Sequence, residues 1–435
     1  GRWTAEEFTF GASTAKRAVD SITRRARQGW GMTDDSDTLV RRVRDGELRL
    51  HELEDHADAD TATEARRRIV EADAGVDLGA VGAYGFPADR ADANIENMIG
   101  AAQVPMGVVG PLPIDGSAAE GDHYLPLATT EGALLASVNR GVSTIREAGG
   151  ATVRVLKSGM TRAPVFKVED VAAAGEVSAW VREHVDDLAE AAEATTGHGE
   201  LQDVTPYVVG DNVFLRFSYD TKDAMGMNMA TIATEAACEV VEAETPAELV
   251  ALSGNLCSDK KPAAINAIEG RGRTVAADVL VPHEQVEQRL GTTTEAIAEA
   301  NTRKNLVGSA KAGALGFNAH AANVIAAAFL ATGQDAAQVV EGANTITTVD
   351  AREEGLYASV TLASLEVGTV GGGTKLPTQA EGLDVLGYAG GGDPAGSNAD
   401  ALAEAIAAGA LAGELSLLAA LASRHLSSAH EDLGR

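Results

Sequence analysis

Lysine is scarce in this chain: only nine of its 35 basic residues are lysines, and those 35 stand against 64 acids. The resulting formal charge of −29 argues against a nucleic-acid partner, because phosphate binding needs the opposite sign. Aromatic residues make up only 4%, so the interior cannot rest on large rings, and abundant Ala and Gly favour close helix packing instead. Two cysteines, Cys238 and Cys257, are too few for a disulfide framework or a zinc cluster, and a reducing cytoplasm is the natural inference. No uninterrupted apolar run of ~20 residues stands out, so no segment is expected to span a membrane. No Gly-x-Gly-x-x-Gly follows a strand, so the usual dinucleotide fingerprint is missing.

At 435 residues, 45% of them hydrophobic, the chain can build two or three domains with a substantial core. Its acid is spread along the sequence rather than gathered in a tail. Such a surface repels itself in dilute salt, whereas concentrated salt screens it within a few ångströms. The composition resembles that of salt-in halophiles; a generic acidic protein is the rival reading.

Residues 1–31 differ from the rest. Basic residues are frequent there, and Trp3, Phe8 and Phe10 crowd together. An apolar core of roughly 7–15 residues, as a secretory signal needs, is lacking. We read 1–31 as a non-native or appended segment, with Met32 as initiator. Residues 32–90 read as an N-terminal region of short helices, with Thr61–Ala72 in one of them. Thr129 or Thr130 can cap a helix running through Gly141, which places Glu131 in its first turn. Val153–Leu156, Pro164–Val168 and Val213–Tyr219 are strand-like, while Val171–Ala192 and Ala224–Glu242 are helix-like. That alternation suggests a small α+β unit inserted in a larger helical one. Beyond Ala263 the pattern is mostly helical, with a strand-like Thr361–Gly373.

The most informative stretch runs from Ser253 to Gly272. Asp259, Lys260 and Lys261 precede Pro262, so two cations and an anion sit in a polar loop before a helix start. A lysine so placed can serve as an oxyanion donor, a Schiff-base amine or a phosphate clamp. A solvated charge cluster is the plain alternative for an isolated triplet. Here Ser253, Asn255, Cys257 and Asn266 are interleaved with apolar residues, and semi-buried polar groups need partners. Asp223-Ala-Met-Gly-Met-Asn228 offers an acidic cap, a flexible glycine and a helix N-terminus, which suits a pyrophosphate or simply a capped helix.

The Ser253–Gly272 run resembles the catalytic loop of class I 3-hydroxy-3-methylglutaryl-CoA (HMG-CoA) reductases, in their soluble archaeal form. Four further blocks agree in order: Glu96-Asn-Met-Ile-Gly100, Thr129–Ser137, Asp223–Asn228 and Gly333-Gln-Asp335. The resemblance implies an α+β fold: a mainly helical large domain, 91–163 and 252–435, with an inserted ferredoxin-like small domain, 164–251, that holds the cofactor. It implies reduction of HMG-CoA to mevalonate and CoA with NADPH, in the cytoplasm, by a homodimer or homotetramer that engages neither membrane nor nucleic acid. Catalytic roles carry over to Glu131, Lys260, Asp335 and His430, with Asp335 tying Lys260 and Glu131 into one network. Arg162, Ser253, Asp259, Lys261, Lys304 and Asn323 are expected to hold the hydroxymethylglutaryl group. Ser137, Asn139 and Arg140 match a CoA-contacting turn. Thr196, His198, Asp223, Met225, Gly226, Met227 and Asn228 are expected at the cofactor. Relatives often carry a basic pair where this chain has Thr196-Gly-His198, so NADH stays open. Two rivals remain: a lysine-dependent lyase or acyltransferase on a CoA thioester, and a silent CoA-binding homologue.

Overall fold

The computed structural model describes residues 33–423. The segment 1–31 and His430 lie outside the described residues. The chain divides into two compact units, Gly1–Gln103 and Val104–Arg435.

In the first unit, helix Ser36–Arg44 starts where the Asp35 carboxylate accepts from Thr38 N–H. Helix Ala59–Ala74 starts on Asp58 in the same way and ends at the left-handed Gly75. Leu39, Leu48, Leu53, Ala62 and Ala65 close a small core. Arg66, fully packed, is paired with the Glu54 carboxylate.

The second unit is built on strands β1 (Met106–Asp115), β2 (Glu120–Ala128), β3 (Ala151–Arg162), β4 (Val165–Lys167), β5 (Glu200–Val209), β6 (Asn212–Asp220), β7 (Glu248–Ala251), β8 (Gly272–Pro282), β9 (Thr345–Ala351) and β10 (Gly355–Leu365). The long β3 links two regions. Its first part pairs with β8, Thr152 opposite Asp278, and its last residues, Met160–Arg162, pair with β6. Beyond that junction, β4, helices Val171–Glu183 and Val185–Glu193, β5, β6, helix Met227–Glu244 and β7 follow the order βαββαβ. The strands lie side by side as β7-β4-β6-β5, the ferredoxin-like arrangement expected from the resemblance. Phe166, Val177, Leu188, Phe217, Tyr219 and Ala237 fill a core private to this region.

The other region packs its sheet around helix Ser397–Ala422, hereafter the core helix. By length and composition this helix could cross a membrane, although Glu404 and Glu414 interrupt its apolar run, as the sequence expectation has it. It is instead a core element: 83% of its apolar window is buried inside the protein. Alanines and glycines let neighbours approach closely. A Cβ on Gly141, in helix Leu134–Glu147, would lie 2.0 Å from Ala412 O.

Helices prevail beyond Ala263, as expected, although β8, β9 and β10 also lie there, and β8 and β10 bury alternate residues in the core around the core helix. Two expectations need correction. Glu131 is not in a helix's first turn: the helix begins at Leu134 behind the left-handed Ala133, and Thr129 Oγ1 accepts from Glu131 N–H at 3.0 Å. Asp223 does not cap the helix that follows it, whose N-cap is Gly226. Its buried carboxylate takes N–H donors from Gly392 (2.9 Å), Gly396 (2.7 Å) and Ala399 (3.0 Å), and so caps the core helix.

Candidate active site

The loop between β7 and helix Ala264–Glu269 holds three non-glycine residues in the left-handed region: Asn255 (φ 63°), Ser258 (φ 48°) and Lys260 (φ 59°). L residues avoid this region, so the surroundings must hold them there. Gly254 N–H donates to Ala163 O at 2.6 Å, which sets Ser253 beside Arg162 at the end of β3. Asn266 Nδ2 donates to Ser258 O at 3.1 Å.

The rest of the grip comes from one helical face. Ala336–Gln338 is a 3-10 turn running into helix Val339–Gly342, so Asp335, Gln338 and Glu341 recur every three residues. Asp335 Oδ2 lies 2.7 Å from Lys260 Nζ. Gln338 Nε2 donates to Asp259 Oδ1 at 3.0 Å, and Glu341 Oε1 accepts from the backbone N–H of Lys260. Lys260 is therefore held at both ends, by its amide and by its ammonium. Its side chain stays 44% exposed, so the ammonium can reach a ligand. The hydrogen bond that its ammonium donates to Asp335 raises the Lys260 pKa above its ordinary value, which keeps it cationic at neutral pH.

Beneath the loop lies Arg271, fully buried. Its Nη1 is 3.1 Å from Glu366, 3.2 Å from Asp259 and 3.5 Å from Glu341. Three carboxylates crowd one guanidinium atom, and Oε2 of both Glu341 and Glu366 is buried without a partner. Burial pushes the Glu366 carboxyl well above the usual glutamate range, and Glu341 is raised for the same reason. Sequence reasoning missed Arg271, Glu341 and Glu366. The available signal was Gly270-Arg-Gly272, in which both glycines have positive φ. A Cβ on Gly272 would meet Leu365 O at 2.6 Å.

Glu131 approaches from the other side of the fold. Its Oε1 accepts from Asn323 Nδ2 at 3.3 Å, and Asn323 is 3.5 Å from His320 Nδ1. His320 Nε2 contacts Gly413 O at 2.8 Å, so Nε2 carries the hydrogen. Among the described residues, no hydrogen bond joins Glu131 to Asp335 or Lys260. The single network expected there is, within one chain, two separate pairs.

The remaining expected residues differ in availability. Arg162 Nε is buried without a partner, as a ligand-facing donor would be before binding. Lys261 Nζ donates to Asp259 O at 3.0 Å, and Lys304 is exposed on the π-helix Asn301–Gly308. Ser253 Oγ lies 3.8 Å from Cys257 Sγ. Ser137, Asn139 and Arg140 sit on a helix rather than a turn, and are committed within the chain. Ser137 Oγ and Arg140 Nε each lie 3.0 Å from Ser416 Oγ on the core helix, while Asn139 Oδ1 accepts from Gly110 N–H at 3.1 Å.

At the expected cofactor segment, Gly226 (φ 86°) precedes helix Met227–Glu244, and no side chain caps its first-turn N–H groups. These donors fit an anionic pyrophosphate. Met227 Sδ accepts from Arg271, Met225 packs on the small core, and Asn228 is exposed. Thr196 Oγ1 accepts from the N–H groups of His198 and Gly199 at 3.3 Å, and the His198 ring is exposed.

Residues 62–435 match the family model of hydroxymethylglutaryl-coenzyme A reductase. The chain belongs to this family. It is 74% identical to the 3-hydroxy-3-methylglutaryl-coenzyme A reductase of Haloferax volcanii, over 92% of this chain and all of that one. It is 54% identical to the Pyrococcus abyssi protein of the same name, over 91% of this chain and 99% of that one. A class II HMG-CoA reductase of Streptococcus pneumoniae, solved bound to NADPH, shares the fold with a TM-score of 0.63 at 22% identity. That match covers 82% of this chain and 96% of the other. Within this HMG-CoA reductase fold, the half-exposed Lys260–Asp335 pair stands on a strained loop above the buried Arg271.

Proposed function

We infer that the chain reduces HMG-CoA to mevalonate and CoA, using two equivalents of NADPH, in isoprenoid biosynthesis. The 74% identity over nearly the whole chain to a named reductase is the observation that carries this reading. When bound, NADPH supplies the hydrides. The chain's own residues supply charge and protons.

Each carbonyl reduction places negative charge on an oxygen. Lys260 Nζ, steadied by Asp335, is the donor we assign to that oxygen in both reductions. Glu131, oriented by Asn323, is assigned as the proton source, and His430 as the acid for departing CoA thiolate. Arg162, Ser253, Lys261 and Lys304, with Asp259 and Asn323 in support, are assigned to the hydroxymethylglutaryl carboxylate and hydroxyl. Residues 164–251 form the cofactor lobe, with the first-turn amides of helix Met227–Glu244 at the pyrophosphate. Because Glu131 and Lys260 are not joined within one chain, we assign the complete site to a homodimer or a larger homo-oligomer. A cytoplasmic location goes with this reading.

The test is stoichiometry. In concentrated KCl, two reduced nicotinamides should disappear per HMG-CoA consumed. A ratio of one, with an aldehyde as end product, would contradict the assignment.

A further inference from the structure

We propose that Glu341, braced by Arg271, is a positioning residue that sets the Lys260 ammonium against Asp335. The proposal rests on the reductase reading only for its kinetic consequence, because the geometry is independent of substrate. Lys260 takes up a left-handed φ of 59°, a conformation that ordinary side chains disfavour. Among the described residues, one hydrogen bond engages its backbone N–H there, to the Glu341 carboxylate. Glu341 is fully buried and has no water-facing alternative.

The arrangement has the form of a two-point clamp. Asp335 and Glu341 stand six residues apart on one helical face, and each holds a different end of Lys260. Gln338, midway between them, holds the preceding Asp259. Arg271 then ties Asp259 and Glu341 to a common cation, so the loop and the helical face cannot slide past each other without separating buried charge. Glu366 completes the guanidinium's surroundings. Without the Glu341 carboxylate, residue 260 is free to relax to negative φ, which redirects its side chain away from Asp335.

The groups facing Lys260 are Asp335, Asp259 and Glu341, with Arg271 behind them, so its ammonium is a direct reporter of the clamp. The experiment compares Lys260 modification by reductive methylation, read by peptide mass spectrometry in concentrated KCl. Wild type, Glu341→Leu, Glu341→Asp and Asp335→Asn are compared, with Lys261 as internal reference. Loss of the clamp should raise Lys260 labelling severalfold in Glu341→Leu, about as much as in Asp335→Asn, because the ammonium loses the acid that favours its charged form. Glu341→Asp keeps the charge on Arg271 but withdraws the acceptor by one methylene. It should raise labelling in the same direction by a smaller factor, and it serves if the leucine variant does not fold. HMG-CoA turnover of the folded variants should fall through kcat, with KM changed little. Labelling of Lys260 unchanged relative to Lys261 in the folded variants would overturn the proposal. Raised Lys260 labelling in the variants, with a wild-type protein that does not reduce HMG-CoA, would uphold the clamp and refute the reductase reading instead.

Discussion

Buried carboxylates occur in two settings in this molecule, and the two settings behave differently. Along the core helix, each acid is surrounded by donors. Glu404 accepts from Ser117 N–H, Ser117 Oγ, Ala118 N–H and Ala119 N–H. Glu414 accepts from Ala319 N–H, His320 N–H and Thr347 Oγ1, and Asp223 from three more amides at the helix start. Beneath the Lys260 loop, three acids share one guanidinium atom and two of their oxygens have no partner. A fully satisfied acid fastens loops to a helix and gains nothing by moving. An under-satisfied cluster next to an exposed ammonium stores electrostatic imbalance where chemistry needs a directed charge.

The largest effect should come from the ammonium itself. Lys260→Ala removes the donor aimed at the developing oxyanion and should lower HMG-CoA turnover about 10²–10³-fold, read as the rate of nicotinamide oxidation. It should also damage reduction of added free mevaldehyde. His430→Gln should spare that second substrate, because an aldehyde has no thiolate to release.

Next in size is an identical substitution made in both settings. Glu404→Gln turns an amide N–H₂ towards two backbone donors and should cost about 2–3 kcal/mol in denaturant unfolding. Glu366→Gln should cost little, because burial raises the pKa of that carboxyl and so favours the neutral form that glutamine imitates. Its effect should appear in the pH dependence. The folded chain holds the Glu366 proton to higher pH than the unfolded chain, which releases it above the ordinary value of 4.5, so stability falls as pH rises from there. Glu366→Gln should flatten that part of the profile, and an unchanged slope would mean that Glu366 is ionised. The smallest local effect is expected at Lys261, whose ammonium is exposed. Lys261→Ala should weaken substrate binding with unfolding unchanged. Independently of both settings, stability should rise from dilute to molar KCl as the −29 charge is screened.

The comparison also explains what could be read from the sequence. Asp-Lys-Lys before Pro262 is a local pattern, and it led to a pair the fold does assemble, Lys260 with Asp335. Asp223 was legible as a cap but not as the cap of a helix that starts at Ser397, since backbone donors carry no sequence signature. Arg271, Glu341 and Glu366 meet only through tertiary packing, and each looks like an ordinary surface charge in its own window. Strand β5 escaped notice because Pro206 and its polar neighbours suit an edge strand, which needs one partner only. Ser137 and Arg140 were matched by motif, but their partner, Ser416, lies on a distant helix that motif comparison does not report.

The most direct measurement is turnover per folded molecule in Asp335→Asn and Glu404→Gln, with unfolding measured on the same samples in concentrated KCl. The Lys260–Asp335 pair is half-exposed, so losing it should change stability by about 1 kcal/mol or less while turnover falls at least about 10²-fold. Glu404→Gln should do the reverse, losing stability while each folded molecule turns over normally. If turnover simply follows stability in both variants, the separation of fastening acids from working acids is wrong.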